Sequence, residues 1–233
     1  MTSSGRTSLP SRLTAIDETT RGDHYYLDEA DRCFCFGEYF ADQGWGHSPT
    51  NQLIFNYKCK PTEKSARLRW KEQAIATIAA GLKAAIARQE VERHTWVPIP
   101  SSKLPDHPEY DDRSVKTLRR AFAGYDVDLR ELFRQSESTN ADHGSNSRMT
   151  PESLHELLIV DRDAWERAPP RSIILFDDVL TTGKHFKACE RRLREIDPSI
   201  AIAGVFVARR ALPRRIDDFD KPLPMSIASQ NPQ

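Results

Sequence analysis

The run DDVLTTGKH, residues 177–185, follows four uninterrupted apolar residues, Ile173, Ile174, Leu175 and Phe176. An unbroken apolar run of this length reads as a strand buried on both faces of a parallel sheet. It ends in two carboxylates, Asp177 and Asp178, and a short turn, 179–183, follows with two hydroxyls and a glycine. Phe186, Cys189, Leu193 and Ile196 then recur at helical spacing. Strand, turn and helix in this order invite an anion. The first N–H groups of a helix lack internal partners and its macrodipole adds partial positive charge, so phosphate is the natural guest. Gly183 lets the backbone come close to such a guest, and Thr181 and Thr182 add donors. The two acids, placed before the turn, suit sugar hydroxyls or a metal reached through water. One turn can thus hold a ribose 5-phosphate.

DDVLTTGKH behind an apolar strand resembles the phosphoribosyl-diphosphate signature of the type I phosphoribosyltransferases, whose usual form ends TTGxT or TTGxS. The resemblance implies that Asp177, Asp178, Val179, Thr181, Thr182, Gly183, Lys184 and His185 bind phosphoribosyl diphosphate. The acidic pair would contact the ribose 2- and 3-hydroxyls and the loop would wrap the 5-phosphate. His185 stands where the family has a hydroxyl, and an imidazole can also donate to phosphate. The likeness further implies that Ser101, Ser102 and Lys103 form the loop that cradles the pyrophosphate. The polar stretch 134–153 would be the flexible lid, carrying Arg134 and Arg148. The implied reaction is displacement of pyrophosphate from the anomeric carbon by a nitrogen nucleophile, in an enzyme of nucleotide metabolism. Asp177 and Asp178 would be its catalytic residues, favouring the positive charge that develops on the sugar. Mg²⁺ would ride on the diphosphate, with no direct protein ligand, and meet Asp177 or Asp178 through water.

The acceptor is an unidentified base or amine. Relatives acting on 6-oxopurines have an acidic residue where Thr181 stands, and the loop is closer to the orotate, adenine, amidophosphoribosyl and competence-associated branches. The alternative function is a non-catalytic protein that keeps the fold to sense a nucleotide or phosphoribosyl diphosphate, or to handle DNA. The likeness covers about residues 53–210.

The elements that must position these residues are legible in outline. Strands alternating with helical patterns call for an α/β fold with a doubly wound, mainly parallel sheet. Five core strands are expected: TWVPIP (95–100), YDVDLRELF (125–133), LHELLIVD (154–161), the signature strand and AIAGVFVARR (201–210). Trp70, Ala74, Ile78, Leu82 and Ala85 share one face of a helix across 63–89, widened by Ile75 and Ile86. Val115, Leu118 and Phe122 mark a second helix, with Asp111 or Asp112 as N-cap and Arg113 in its first turn, either reaching the same pyrophosphate or exposed. The aromatic runs RCFCFGEYF and NQLIFNYKCK, separated by DQGWGHSPTN, read as a small β-hairpin cap, or hood, within 23–62. Residues 1–22 are expected to be a disordered leader, 63–212 the core and 213–233 a peripheral tail.

Composition bounds the rest. With 38% hydrophobic residues and 34 basic against 34 acidic, the chain suits a globular protein with no bias toward polyanions. Arg191, Arg192, Arg209, Arg210, Arg214 and Arg215 are interleaved with acids such as Glu190 and Glu195, so a nucleic-acid partner is not favoured. No apolar run is long enough for a bilayer and no signal core is present, so a cytoplasmic protein without a membrane partner is expected. A homodimer is compatible with this reading. Cys33, Cys35, Cys59 and Cys189 fall in no paired metal spacing, and buried or free thiols are the reading, with a zinc site at Cys33, Cys35 and Cys59 near His24 and His47 as the alternative.

Overall fold

The computed structural model describes residues 9–138, 150–166, 168, 170 and 172–213. In chain order its elements are β1 (Thr14–Ala15), β2 (Arg32–Tyr39), α1 (Pro49–Tyr57), α2 (Ser65–Ala85), α3 (Arg88–Arg93), β3 (Thr95–Pro98), α4 (Arg113–Ala121), β4 (Asp128–Leu129), β5 (Phe133–Gln135), α5 (Pro151–Leu157), β6 (Leu158–Val160), α6 (Arg162–Glu166), β7 (Ile173–Leu180), α7 (Lys184–Arg194) and β8 (Ile202–Arg210). One six-stranded sheet runs β1-β2-β8-β7-β3-β4, parallel throughout except at β1. β5 and β6 pair antiparallel in a separate ribbon.

The apolar run of the signature strand lies between β8 and β3, where Ile173, Leu175 and Phe176 are fully buried. Both sheet faces are covered. Ile54, Tyr57, Ile78 and Leu118, from α1, α2 and α4, pack with Phe176 on one side, and Phe186, Cys189 and Leu193 of α7 pack with Leu175 on the other. Covering a parallel sheet on both faces is what its unbroken apolar strands require. The result is an α/β protein compatible with a doubly wound fold.

Several expectations are corrected. The sheet has six strands, not five, and the hairpin cap is absent from residues 23–62. RCFCFGEY is β2, paired in parallel with β8, while the second expected strand is the helix α1. Its start is set by Ser48, whose hydroxyl accepts from the Asn51 N–H at 3.0 Å, with Pro49 at the first helical position. That capping signal outweighs the apolar run behind it. Within the expected leader, residues 1–8 lie outside the described residues, while β1 pairs with β2, Ile16 is buried, and its N–H donates to the Cys33 carbonyl at 2.8 Å. β1 covers an edge of the sheet that would otherwise present unpaired backbone.

LHELLIVD is α5 followed by β6, outside the main sheet, and YDVDLRELF is split between the short β4 and β5. Of the stretch 134–153, β5 takes the first two residues and α5 the last three, while 139–149 lie outside the described residues. α2 matches its expected face from Ala74 to Leu82, but Trp70 is 54% exposed and Lys71 is buried instead.

Candidate functional site

β7 continues two residues past the acidic pair, with Val179 and Leu180 still paired to β8, so the turn is confined to residues 181–183. The expectation that the strand ends at the acids is corrected, because both apolar residues find partners on the longer β8. Gly183 has φ 85° and is the N-cap of α7. Its carbonyl accepts from Lys187 at 3.0 Å, the first turn of the helix. The N–H groups of Lys184, His185 and Phe186 therefore lie where a helix offers no internal acceptor. Thr181 and His185 are exposed, Val179 is buried, and Lys184 is half-buried. The Thr182 hydroxyl is buried and has no partner among the described residues.

Because Asp177 and Asp178 lie within a strand, they point to opposite faces of the sheet. They have unlike surroundings. Asp178 is 4% exposed and faces α1 and α4. It accepts from Arg113 Nε at 3.1 Å, from a second Arg113 nitrogen, and from its neighbour Val179 at 2.6 Å, with Lys58 Nζ 3.6 Å away. The network continues outward. Arg113 Nη1 and Lys71 Nζ each donate to Asp111 Oδ2 at 2.6 Å, and Lys71 also reaches the Cys59 carbonyl. The Arg113 guanidinium lies over the Tyr57 ring, whose hydroxyl bonds Thr117 at 2.8 Å. Three cations here face two buried carboxylates, which leaves the cluster attractive to an anion.

Asp177 is half-buried on the α7 side and accepts from the Asp178 N–H at 2.8 Å. Burial, reinforced by the charge of Asp178, pushes its pKa up to about 7. Asp178 goes the other way: burial opposes ionisation, but Lys58 and Arg113 overcome it and hold the carboxyl well below its usual range. The central strand therefore carries, two residues before its end, one fixed anion and one group poised near neutrality, an arrangement typical of functional sites.

Ser101, Ser102 and Lys103 follow β3, which lies beside β7 in parallel register, Pro98 opposite Phe176. Their loop thus leaves the same edge of the sheet as the 181–183 turn, which is where open parallel sheets hold ligands. All three are half-buried. The Lys103 N–H donates to Ser101 Oγ at 3.3 Å, and the Leu104 N–H to Ser138 Oγ at 3.1 Å. Through Ser138 this loop touches the segment that follows β5. Arg134 is exposed on β5, in the separate ribbon, while Arg148 lies outside the described residues.

Sequence reasoning missed two sets of residues. Lys58, Lys71 and Asp111 carry no motif and meet only in three dimensions. Arg113, open in the sequence between reaching the pyrophosphate and an exposed first turn, is held by Asp178 and Asp111, contacts that no motif marks. The second set is the segment 24–27, which lies against the turn: His24 Nδ1 donates to the Thr181 carbonyl at 2.5 Å and the Tyr26 N–H to the Thr182 carbonyl at 2.9 Å. The four cysteines are buried free thiols, and no group of three metal-type side chains occurs among the described residues. Arg209 pairs with Asp23 and Glu38, Arg191 with Glu152 and Arg192 with Glu195, so these arginines form no free basic patch. Arg214 and Arg215 lie outside the described residues.

Compared with models of known protein families the chain matches none, and compared with curated proteins it finds no significant relative. What fold and site together define is an α/β protein with a mostly parallel sheet and polar loops gathered at the C-terminal ends of two adjacent central strands. Among the described residues no helix is long and apolar enough to cross a membrane.

Proposed function

We propose that the protein binds phosphoribosyl diphosphate at the end of β7 and transfers its phosphoribosyl group to a nitrogen nucleophile, as a phosphoribosyltransferase-type enzyme. The observation that carries this reading is the sequence of groups along one line: a half-buried acid at 177, a turn with a left-handed glycine at 183, and the N-terminus of an eleven-residue helix. Residues 181–185 would take the 5-phosphate on backbone N–H groups and hydroxyls. Asp177 would take a ribose hydroxyl, and its negative form would favour an oxocarbenium-like transition state. Ser101, Ser102 and Lys103, at the same edge, would hold the departing pyrophosphate.

Asp178 enters this reading differently from the family pattern. Its carboxylate is engaged by Arg113 and Lys58, so it orients those cations rather than offering itself to the sugar. The same engagement favours the second reading, a protein that binds the ligand without turnover. Mg²⁺ fits as a passenger of the diphosphate: the described residues offer one half-buried carboxylate, Asp177, to a metal-bound water and no cluster to hold the ion outright. When bound it would neutralise diphosphate charge.

Calorimetric titration with phosphoribosyl diphosphate and Mg²⁺, followed by pyrophosphate release with a panel of bases and amines, tests both readings. Saturable binding that Asp177→Asn weakens about tenfold or more is expected. Turnover with any acceptor supports the enzyme, and binding without turnover supports the sensor. No binding up to about 1 mM ligand overturns the reading.

A further inference from the structure

The 181–183 turn is gripped from one side by a short strap, residues 24–27, that precedes β2. His24 is fully buried and its Nδ1 lies 2.5 Å from the Thr181 carbonyl oxygen. A carbonyl can only accept, so Nδ1 carries the proton and the tautomer is set. One residue along the turn and two along the strap, the Tyr26 N–H donates to the Thr182 carbonyl at 2.9 Å. At the third, Leu27 fills the space beside Gly183, where an added Cβ would come within 2.8 Å of Leu27 Cδ2. One turn into the helix, Lys187 binds Asp28 at 3.1 Å and Asp31 at 2.8 Å. Four successive contacts run in the same order along strap and turn. The strap is anchored in its turn through Asp23, whose carboxylate accepts from Arg209 at 2.8 Å at the end of β8.

The consequence follows from peptide geometry. Every peptide bond in the described chain is trans, so the C=O of residue 181 and the N–H of residue 182 point in opposite directions, as do the C=O of 182 and the N–H of 183. Holding both carbonyls against the strap turns the two following N–H groups to the other side. Adjacent N–H groups aimed the same way before a helix form an anion-binding concavity. Burial also favours the neutral form of His24, against the pull of the Thr181 carbonyl, which keeps the ring a single directed donor.

We infer that His24 is a positioning residue for the site: by fixing the Thr181 carbonyl it presets the Thr182 and Gly183 N–H groups toward a sugar phosphomonoester that it does not itself touch. This rests on the phosphate reading above, and the test separates the two. Ribose 5-phosphate is titrated into the wild-type protein, His24→Ala and His24→Asn, whose Nδ2 occupies the place of the imidazole Nδ1. In parallel, ¹⁵N NMR of the ligand-free proteins reads the His24 tautomer and the Thr182 and Gly183 amide shifts. The alanine variant is expected to lose about tenfold or more in affinity and to shift both amides, with asparagine restoring affinity to within about threefold. A folded alanine variant that binds like wild type, or a His24 ring protonated at Nε2 instead of Nδ1, overturns the inference. Should the alanine variant fail to fold, the wild-type tautomer and the asparagine variant decide. Wild-type protein with the stated tautomer and shifts but no saturable ribose 5-phosphate binding upholds the strap and overturns the phosphate reading.

Discussion

Asp177 and Asp178 are adjacent and chemically identical, yet the fold drives their protonation apart. A strand sends one toward α7 and the other into the cations of α4 and the end of α1. Each has a consequence for stability. The folded pKa of Asp177 is raised, so the folded state binds a proton that the unfolded state releases, and stability falls as pH rises between the ordinary 3.8 and about 7. Asp177→Asn should remove that fall, leaving the variant more stable than wild type at pH 8 and similar below pH 4, as read by urea midpoints across pH. Asp178 has the opposite sign: its depressed pKa contributes stability that is present above 3.8 and lost as pH falls through the folded value. Its partners differ in weight. Arg113→Met leaves buried Asp178 with only the more distant, part-exposed Lys58 and should cost about 3–5 kcal/mol in chemical denaturation. Lys58→Ala removes a pair 3.6 Å long whose lysine side chain is 42% exposed, and should cost about 0–1 kcal/mol. Equal losses would show that Asp178 depends on the exposed cation as much as on the buried one. In the sequence the acids were legible as an adjacent pair behind a buried strand, but their separation was not, since it depends on Val179 and Leu180 continuing the ladder with β8.

At the scale of elements, local signals competed and the stronger one won. The run NQLIFNY is apolar and aromatic enough for a strand, but Ser48 and Pro49 before it start a helix, and Leu53, Ile54 and Tyr57 then fall on its buried face. Ser48 also organises Asn51, whose side chain is nearly fully buried, accepts from the Phe40 N–H and donates to the Phe40 carbonyl. Ser48→Ala should therefore cost about 1 kcal/mol in a urea titration, the usual worth of such a cap. A loss below a few tenths would mean the helix is held by packing alone. The two-residue β4 and the β5–β6 ribbon pass for core strands in the sequence because their apolar runs are too short to reveal which neighbour they meet. α2 and α7, with longer periodic patterns, were legible along most of their length.

For the molecule as a whole, the parts far from the site decide its frame. β2 and β1, drawn from the N-terminal quarter, complete the sheet next to β8, and Leu9 packs against Gly81 of α2. Removal of residues 1–17 should expose the edge of β2, lower the melting temperature and promote association visible by light scattering. A truncated protein as stable and monodisperse as the full chain would show β1 to be dispensable. By itself the sequence determined what is local and periodic: the buried central strand, its acids, the turn with its glycine, the helix behind it and the α/β alternation. Only the tertiary structure decided which strand lies beside which, which acid meets Arg113, and which distant segment holds the turn, because those outcomes depend on contacts between residues such as His24 and Thr181, 157 positions apart, that leave no mark on local composition.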